Sequence, residues 1–252
     1  MPDALTRSQL EKLGRRLRKD EATPQDMRLL AEYRRSFLTP YREVIARIAS
    51  VTPLVPSGRP AKSTASIVSK LQRQTGTLPQ MQDIAGCRLV VEGVAEQNSL
   101  IASLAGEFSD AEIVDRRAKP SFGYRAVHLI VDSAGRPIEI QVRTRLQDLW
   151  AQCSEELAFS VDPAIKYGGG PAQLVTLLGS SSKLVGEIED ANESISNFAN
   201  AVALARRVGK LDSNRIEGCE LQIAAMKSEL SEYTLTLRDA LMKLSNSASK
   251  RS

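Results

Sequence analysis

Two carboxylates, Asp83 and Glu139, stand where chemistry can be placed. Asp83 opens the segment Asp83-Ile-Ala-Gly-Cys-Arg88, and Glu139 opens Glu139-Ile-Gln-Val-Arg-Thr144. Each segment contains or adjoins a short β-branched run, Cys87–Val91 and Ile138–Val142, that reads as a strand. Carboxylates on neighbouring strand ends can share one hard cation such as Mg²⁺. Between them lies Lys119-Pro-Ser-Phe-Gly-Tyr-Arg-Ala-Val-His128, basic and aromatic together. Cations suit phosphates and a ring face suits a base, so the set suits a nucleotide. Tyr124 follows Gly123, which lets a backbone come close and leaves one ring face open. Glu139, Gln141 and Arg143 alternate with Ile140 and Val142, so one strand face is polar: either wet surface or a site. Upstream, Lys62, Ser66, Lys70 and Arg73 fall at offsets of four, four and three. That spacing lines one helix stripe, a cradle for a triphosphate near a helix N-terminus, although solvated basic stripes are at least as common.

Composition narrows the chemistry. The 252 residues carry 34 Lys+Arg against 30 Asp+Glu, a net charge of +4, which permits a polyanionic partner without demanding one. There is a single histidine, His128, so metal sites built on several histidines are excluded by count. The three cysteines are far apart and lack metal spacing, and the charged N-terminal stretch has no apolar signal core; together they suggest a reducing cytoplasm. No apolar run approaches the roughly 18 residues of a membrane span.

The elements that must position these groups can be read in order. Residues 3–19 form an amphipathic helix with Ser8 and Glu11 at capping-box spacing and a basic outer face, including Arg15, Arg16 and Arg18. A second helix starts at Pro24 behind Thr23, with a core face of Met27, Leu30, Phe37, Tyr41, Val44, Ile45 and Ile48, and is kinked or broken by Pro40. Residues 52–61 form a Pro/Gly loop, and Lys62–Gln74 a helix capped by Ser63 or Thr64. A strand, a helix over 94–108 and a strand over 112–116 follow; then come two strands joined by the turn Asp132–Arg136, and a helix over 144–159 in which Trp150 is core. Beyond Pro171 two apolar seams with spacings of three and four, Leu174–Ala205 and Ile216–Leu244, form an antiparallel helical hairpin. This divides the chain into 1–171, which carries the chemistry, and 172–252, an extension for self-association or regulation.

The motifs together, in order over about residues 52–160, resemble the synthetase domain of the RelA/SpoT homologues, the alarmone synthetases. The resemblance implies an α/β (α+β) nucleotidyltransferase-like fold, a mixed sheet flanked by helices. It implies Mg²⁺-dependent transfer of pyrophosphate from ATP to the ribose 3′-hydroxyl of GDP or GTP, giving (p)ppGpp-type alarmones. Asp83 and Glu139 would then hold Mg²⁺, with Glu139 taking the proton of the attacking hydroxyl. Arg59, Lys62, Ser66, Lys70, Arg73 and Arg88 would bind ATP. Lys119, Tyr124, His128, Gln141 and Arg143 would serve the acceptor. Three departures stand out. Arg59 lies three rather than two residues before Lys62, Ser121-Phe122 occupies a loop that in the family often has one small polar residue, and Ser154-Glu155-Glu156 replaces a Glu-His pair. The last two bear on the acceptor, and the alternative is a toxic small synthetase that pyrophosphorylates the 3′ end of tRNA, as the basic first helix would suit.

Overall fold

Thr6 caps helix α1 (Arg7–Arg18). The computed structural model describes residues 5–73, 75–210 and 212–249. The capping box is Thr6 with Gln9, not Ser8 with Glu11; Glu11 instead meets Arg7 at 3.3 Å one turn back. Leu10, Leu13 and Leu17 set the buried face, and that face decides where the helix can start. The expected residues 3 and 4 lie outside the described ones. The basic outer face is not simply solvated. Arg16 pairs with Asp26, and Arg18 donates to the carbonyls of Leu71, at 2.8 Å, and Gly76.

Helix α2 (Pro24–Arg35) starts as its sequence requires, with Thr23 and Asp26 forming a capping box and Pro24 in the first turn. The break falls at Ser36–Phe37, ahead of Pro40, which sits in the first turn of α3 (Leu38–Val51) where its missing N–H costs nothing. Leu30, Phe37, Val44 and Ile48 are buried as expected; Met27 is exposed.

The stretch expected to be a loop contains a short strand, β1 (Ser57–Arg59), paired antiparallel to β2 (Ala85–Val91). Gly58 makes this possible, since a Cβ there would stand 2.4 Å from the carbonyl oxygen of Gly86. Helix α4 (Thr64–Arg73) follows, with the N–H of Ser66 donating to Ser63 Oγ. Lys62 therefore precedes the helix rather than opening its stripe, and Gln74 lies outside the described residues. Next come α5 (Val94–Glu107), β3 (Glu112–Asp115), β4 (Val127–Ser133) and β5 (Arg136–Thr144). The five strands form one mixed sheet in the order β1-β2-β5-β4-β3, with helices around it. β4 and β5 form the expected antiparallel hairpin, with Val127 opposite Val142 and Ser133 opposite Arg136. Ala134 and Gly135 both adopt positive φ at its turn, 52° and 74°, which matches the twist of the strands.

The chain divides into two compact units. The first gathers Met1–Leu89, Ser99–Val114 and Val127–Val142; the second gathers Val90–Asn98, Asp115–Ala126 and Arg143–Ser252. Pro171 is not a boundary between them. In the second unit Thr144 caps α6 (Arg145–Ser160), and α7 (Ala172–Arg207) and α8 (Ser213–Ser249) form the helical pair. Trp150, Ala151 and Leu157 of α6 share one core with Leu178, Val185 and Ile188 of α7 and Leu237 and Leu241 of α8. The seam therefore departs from the expected one. Ile188, Ile195, Val202, Ile216, Ile223 and Leu237 are buried, whereas Leu177, Leu184, Phe198, Met226 and Tyr233 are exposed. Helix α7 turns a second face, Leu178, Ser182, Val185 and Glu189, toward α6 and the loop before β4, so a two-helix heptad describes only half of its burial. Among the described residues, no helix is long and apolar enough to cross a membrane.

Candidate active site

Asp83 ends the approach to β2, and two ammonium groups hold it. Lys62 Nζ meets Asp83 Oδ2, and Lys70 Nζ lies 2.7 Å from the same oxygen. Burial pushes the carboxyl up, but the two lysines outweigh it and hold the group below its ordinary value. Its other oxygen, Oδ1, is buried and accepts no hydrogen bond among the described residues. An ionised, partly unpartnered carboxylate oxygen is a donor suited to a hard cation.

Lys62 is fixed through its backbone. Its N–H donates to Ile84 O at 2.6 Å, and its carbonyl accepts from Arg34 Nε at 2.7 Å. Arg34 also reaches Thr64 Oγ1 at 3.1 Å, so α2 holds the entry to α4 while Arg18 of α1 holds its far end at Leu71. Sequence reasoning placed Arg18 on a basic outer face and did not single out Arg34, because nothing in their spacing marks a partner so distant along the chain. Ser66 Oγ lies 2.8 Å from Ser63 Oγ on the exposed side of α4, and Arg73 is exposed at its last turn. Arg59 is exposed on β1; Arg88 on β2 stands opposite Ser57 and reaches its hydroxyl at 3.5 Å.

Glu139 projects from β5, the neighbour of β2 in the sheet. Gly86 lets the two strands approach: a Cβ there would lie 2.6 Å from the Glu139 carbonyl oxygen and 3.2 Å from its Cβ. Gln141 Nε2 donates to Glu139 Oε2 at 2.7 Å, and His128 Nδ1 lies 2.9 Å from Oε1. The hairpin register explains this trio, since His128 faces Gln141 directly across the strands and Glu139 diagonally. Burial raises the Glu139 carboxyl, but His128 and Gln141 outweigh it and hold it below its ordinary value, while the charge of Asp83 pushes the other way. His128 is buried against this carboxylate. Cys87, beside them on β2, has its thiol pushed up to about 12 by burial and by Glu139, so it stays protonated and is no nucleophile.

The remaining expected residues belong to the second unit. Lys119 is exposed in the loop before β4. Tyr124 is half-buried; its hydroxyl accepts from Arg143 Nη2 at 3.0 Å, and the guanidinium lies 5.0 Å from its ring centroid. Arg143, expected on a polar face with Glu139 and Gln141, is buried and also pairs with Asp148 at 3.0 Å. It holds the tyrosine. Phe122, one of the departures noted above, has positive φ (53°) and is 60% exposed, with its ring packed where a Cβ on Gly168 would come within 2.5 Å.

Among the described residues, no group of three or more His, Cys, Asp or Glu side chains could hold a metal. Asp83 and Glu139 are two. Two carboxylates with phosphate oxygens and water completing the shell is the usual protein share of a Mg²⁺ site, so the donor set fits that ion.

Residues 58–162 match the family model described as "Region found in RelA / SpoT proteins". An uncharacterized protein of Mycobacterium tuberculosis is 36% identical over 141 residues, 54% of this chain and 52% of the relative. A probable chloroplastic GTP diphosphokinase of Arabidopsis thaliana is 30% identical over 112 residues, 43% of this chain and 15% of the relative. The chain thus spans about half the length, or less, of these curated relatives. Small alarmone synthetase 1 from Bacillus subtilis, in a crystal structure with its product pppGpp, shares the fold with a TM-score of 0.50 and 23% identity, over 65% of this chain and 96% of that one. A GTP pyrophosphokinase family protein from Streptococcus pneumoniae gives 0.51 and 21%, over 70% and 95%.

Proposed function

We propose, from the match of residues 58–162 to the region found in RelA / SpoT proteins, that the chain transfers pyrophosphate from ATP to the 3′-hydroxyl of GDP or GTP, with Mg²⁺ as cofactor. The observation that carries this reading is the carboxylate pair formed by Asp83, just ahead of β2, and Glu139, on the neighbouring strand β5. Asp83 is bound to two phosphate-seeking lysines and has one oxygen unused; Glu139 is oriented by Gln141 and His128. Asp83 and Glu139 would hold the ion, which when bound neutralises charge on the transferring phosphates. Lys62, Lys70, Arg73 and Arg88 bind and orient the triphosphate, with Arg59 and Ser66 at its edge. Glu139, ionised at neutral pH because its folded pKa lies below the ordinary carboxyl range, accepts the proton of the attacking hydroxyl at an Oε atom. Tyr124 stacks on the acceptor base, with Arg143 fixing the ring, and Lys119 approaches the acceptor phosphates. Phosphoryl transfer asks chiefly for such positioning and charge.

The test is incubation with ATP labelled in its terminal phosphates and GDP, GTP or deacylated tRNA. Labelled guanosine product is expected, and Glu139→Gln should lower turnover at least about 100-fold, the usual scale for a lost general base, with unchanged circular dichroism. Product from tRNA alone would replace this reading with the toxin-like one. The basic face that favoured tRNA is partly engaged within the fold, through Arg16 and Arg18. The discriminating change is therefore Lys12, Arg15 and Lys19 to Gln, which should leave the GDP and GTP reactions and their salt dependence as in wild type.

A further inference from the structure

One face of α7 runs along the loop that carries Tyr124. Leu178 O accepts from Trp150 Nε1 at 3.0 Å. One turn on, Ser182 Oγ donates to Gly123 O at 2.6 Å, while Ser182 O and Oγ accept from Arg125 Nε at 3.0 and 3.2 Å. One turn further, Gly186 lies flush against the Arg125 guanidinium: a Cβ there would stand 2.8 Å from Nη2. Arg125 Nη1 in turn donates to the carbonyl of Arg117 at the start of the loop. Gly123 has φ +88°, and a Cβ on it would come within 2.6 Å of the Trp150 ring. Tyr124 thus sits between two residues that α7 fixes, one through its carbonyl and the other through its side chain.

Gly186 is the informative position. Glycine is the poorest helix former after proline, and here it stands inside a 36-residue helix at the point where a guanidinium must lie against the backbone. We propose that Ser182 and Gly186 are positioning residues for the acceptor: by fixing Gly123 and Arg125 they hold the Tyr124 ring in one orientation. The proposal rests on the reading of Tyr124 as the base-stacking residue. It makes the helical extension part of acceptor recognition.

The experiment measures KM for ATP and for GDP or GTP, with kcat and melting temperature, in the full chain carrying Ser182→Ala, Gly186→Ala, Arg125→Ala, Arg125→Ala with Gly186→Ala, or Tyr124→Ala. In Gly186→Ala the Arg125 guanidinium must shift, while alanine favours the helix, so the two effects offset and the variant should melt close to wild type. Its acceptor KM should still rise about fivefold to tenfold, the scale of one hydrogen bond's loss, as should that of Ser182→Ala, with KM for ATP unchanged. In the Arg125→Ala background, Gly186→Ala should add nothing, because both act through one group. An unchanged acceptor KM in Gly186→Ala, or an equal rise for ATP, overturns the proposal. Tyr124→Ala separates the two readings. If its acceptor KM rises while those of the α7 variants do not, only this inference fails. If Tyr124→Ala leaves the acceptor KM at the wild-type value, the base-stacking reading fails and takes the inference with it.

Discussion

Asp83 illustrates how one side chain serves two ends that a single substitution can separate. Its carboxylate restrains Lys62 and Lys70, and it is also one of the two candidate metal donors. Asp83→Asn keeps the shape and removes the charge. Turnover should fall at least about 100-fold, for a loss of several kcal/mol of charge stabilisation. The lysines, no longer attracted to a carboxylate, should at the same time bind a non-hydrolysable ATP analogue more tightly in EDTA. Calorimetric titration checks this; weaker binding than wild type would mean that Asp83 orients the lysines for phosphate instead of competing for them. These residues could be picked out as candidates because motif spacing places them along the chain. Their pairings could not. That His128 lies against Glu139 depends on the hairpin register, and that Arg143 is buried against Tyr124 and Asp148 depends on where the loop before β4 runs.

At the scale of elements, Glu189 of α7 shows how the extension is joined to the motif region. It is buried, accepting from Thr144 Oγ1 and from Gln147 Nε2 at 3.0 and 3.1 Å, the two residues that form the N-terminal capping box of α6. Burial raises its carboxyl above the ordinary value, with these donors only partly offsetting it. The sign is therefore opposite to that of a salt-bridged carboxylate. The folded state binds the proton more tightly than the unfolded one, so this contribution to stability is full below the unfolded pKa and is lost as pH rises through the folded value. Glu189→Gln cannot titrate. The melting temperature of wild type relative to Glu189→Gln should be highest in acid and decline as pH rises through and above the carboxyl range; a difference that grows with pH would refute the buried assignment. Most elements could be read from periodicity and caps, as α2 and the β4–β5 hairpin show. β1 escaped because Ser-Gly-Arg has no apolar alternation. The α7 seam misled because a helix facing two partners spreads its buried positions over two stripes, and only one of them follows the heptad.

For the molecule as a whole, the sequence suggested a catalytic part ending near Pro171 and an extension for self-association or regulation. The compact units are interleaved instead: the chain leaves the first after Leu89, returns at Ser99, and alternates until Arg143. A chain ending at Pro171 loses Leu178, Val185, Ile188, Leu237 and Leu241 from the core over Trp150, each worth about 1.5–3 kcal/mol of burial. That total rivals the stability of a typical domain. The truncated chain should therefore lose activity, and its Trp150 emission should shift toward that of a solvent-exposed indole; retained turnover with native emission would restore the sequence's division. The covering of Trp150 also imposes an order on synthesis. Protein is made from the N-terminus, and α8 emerges after everything it covers, so the lysine–carboxylate cluster is complete in sequence long before Tyr124 has its full support. A nascent or prematurely terminated chain would then carry the groups proposed to bind ATP without the support of the proposed acceptor loop. Translation halted after Arg207 in a cell-free system should give no labelled product, and the proposed activity should appear only once α8 has been made.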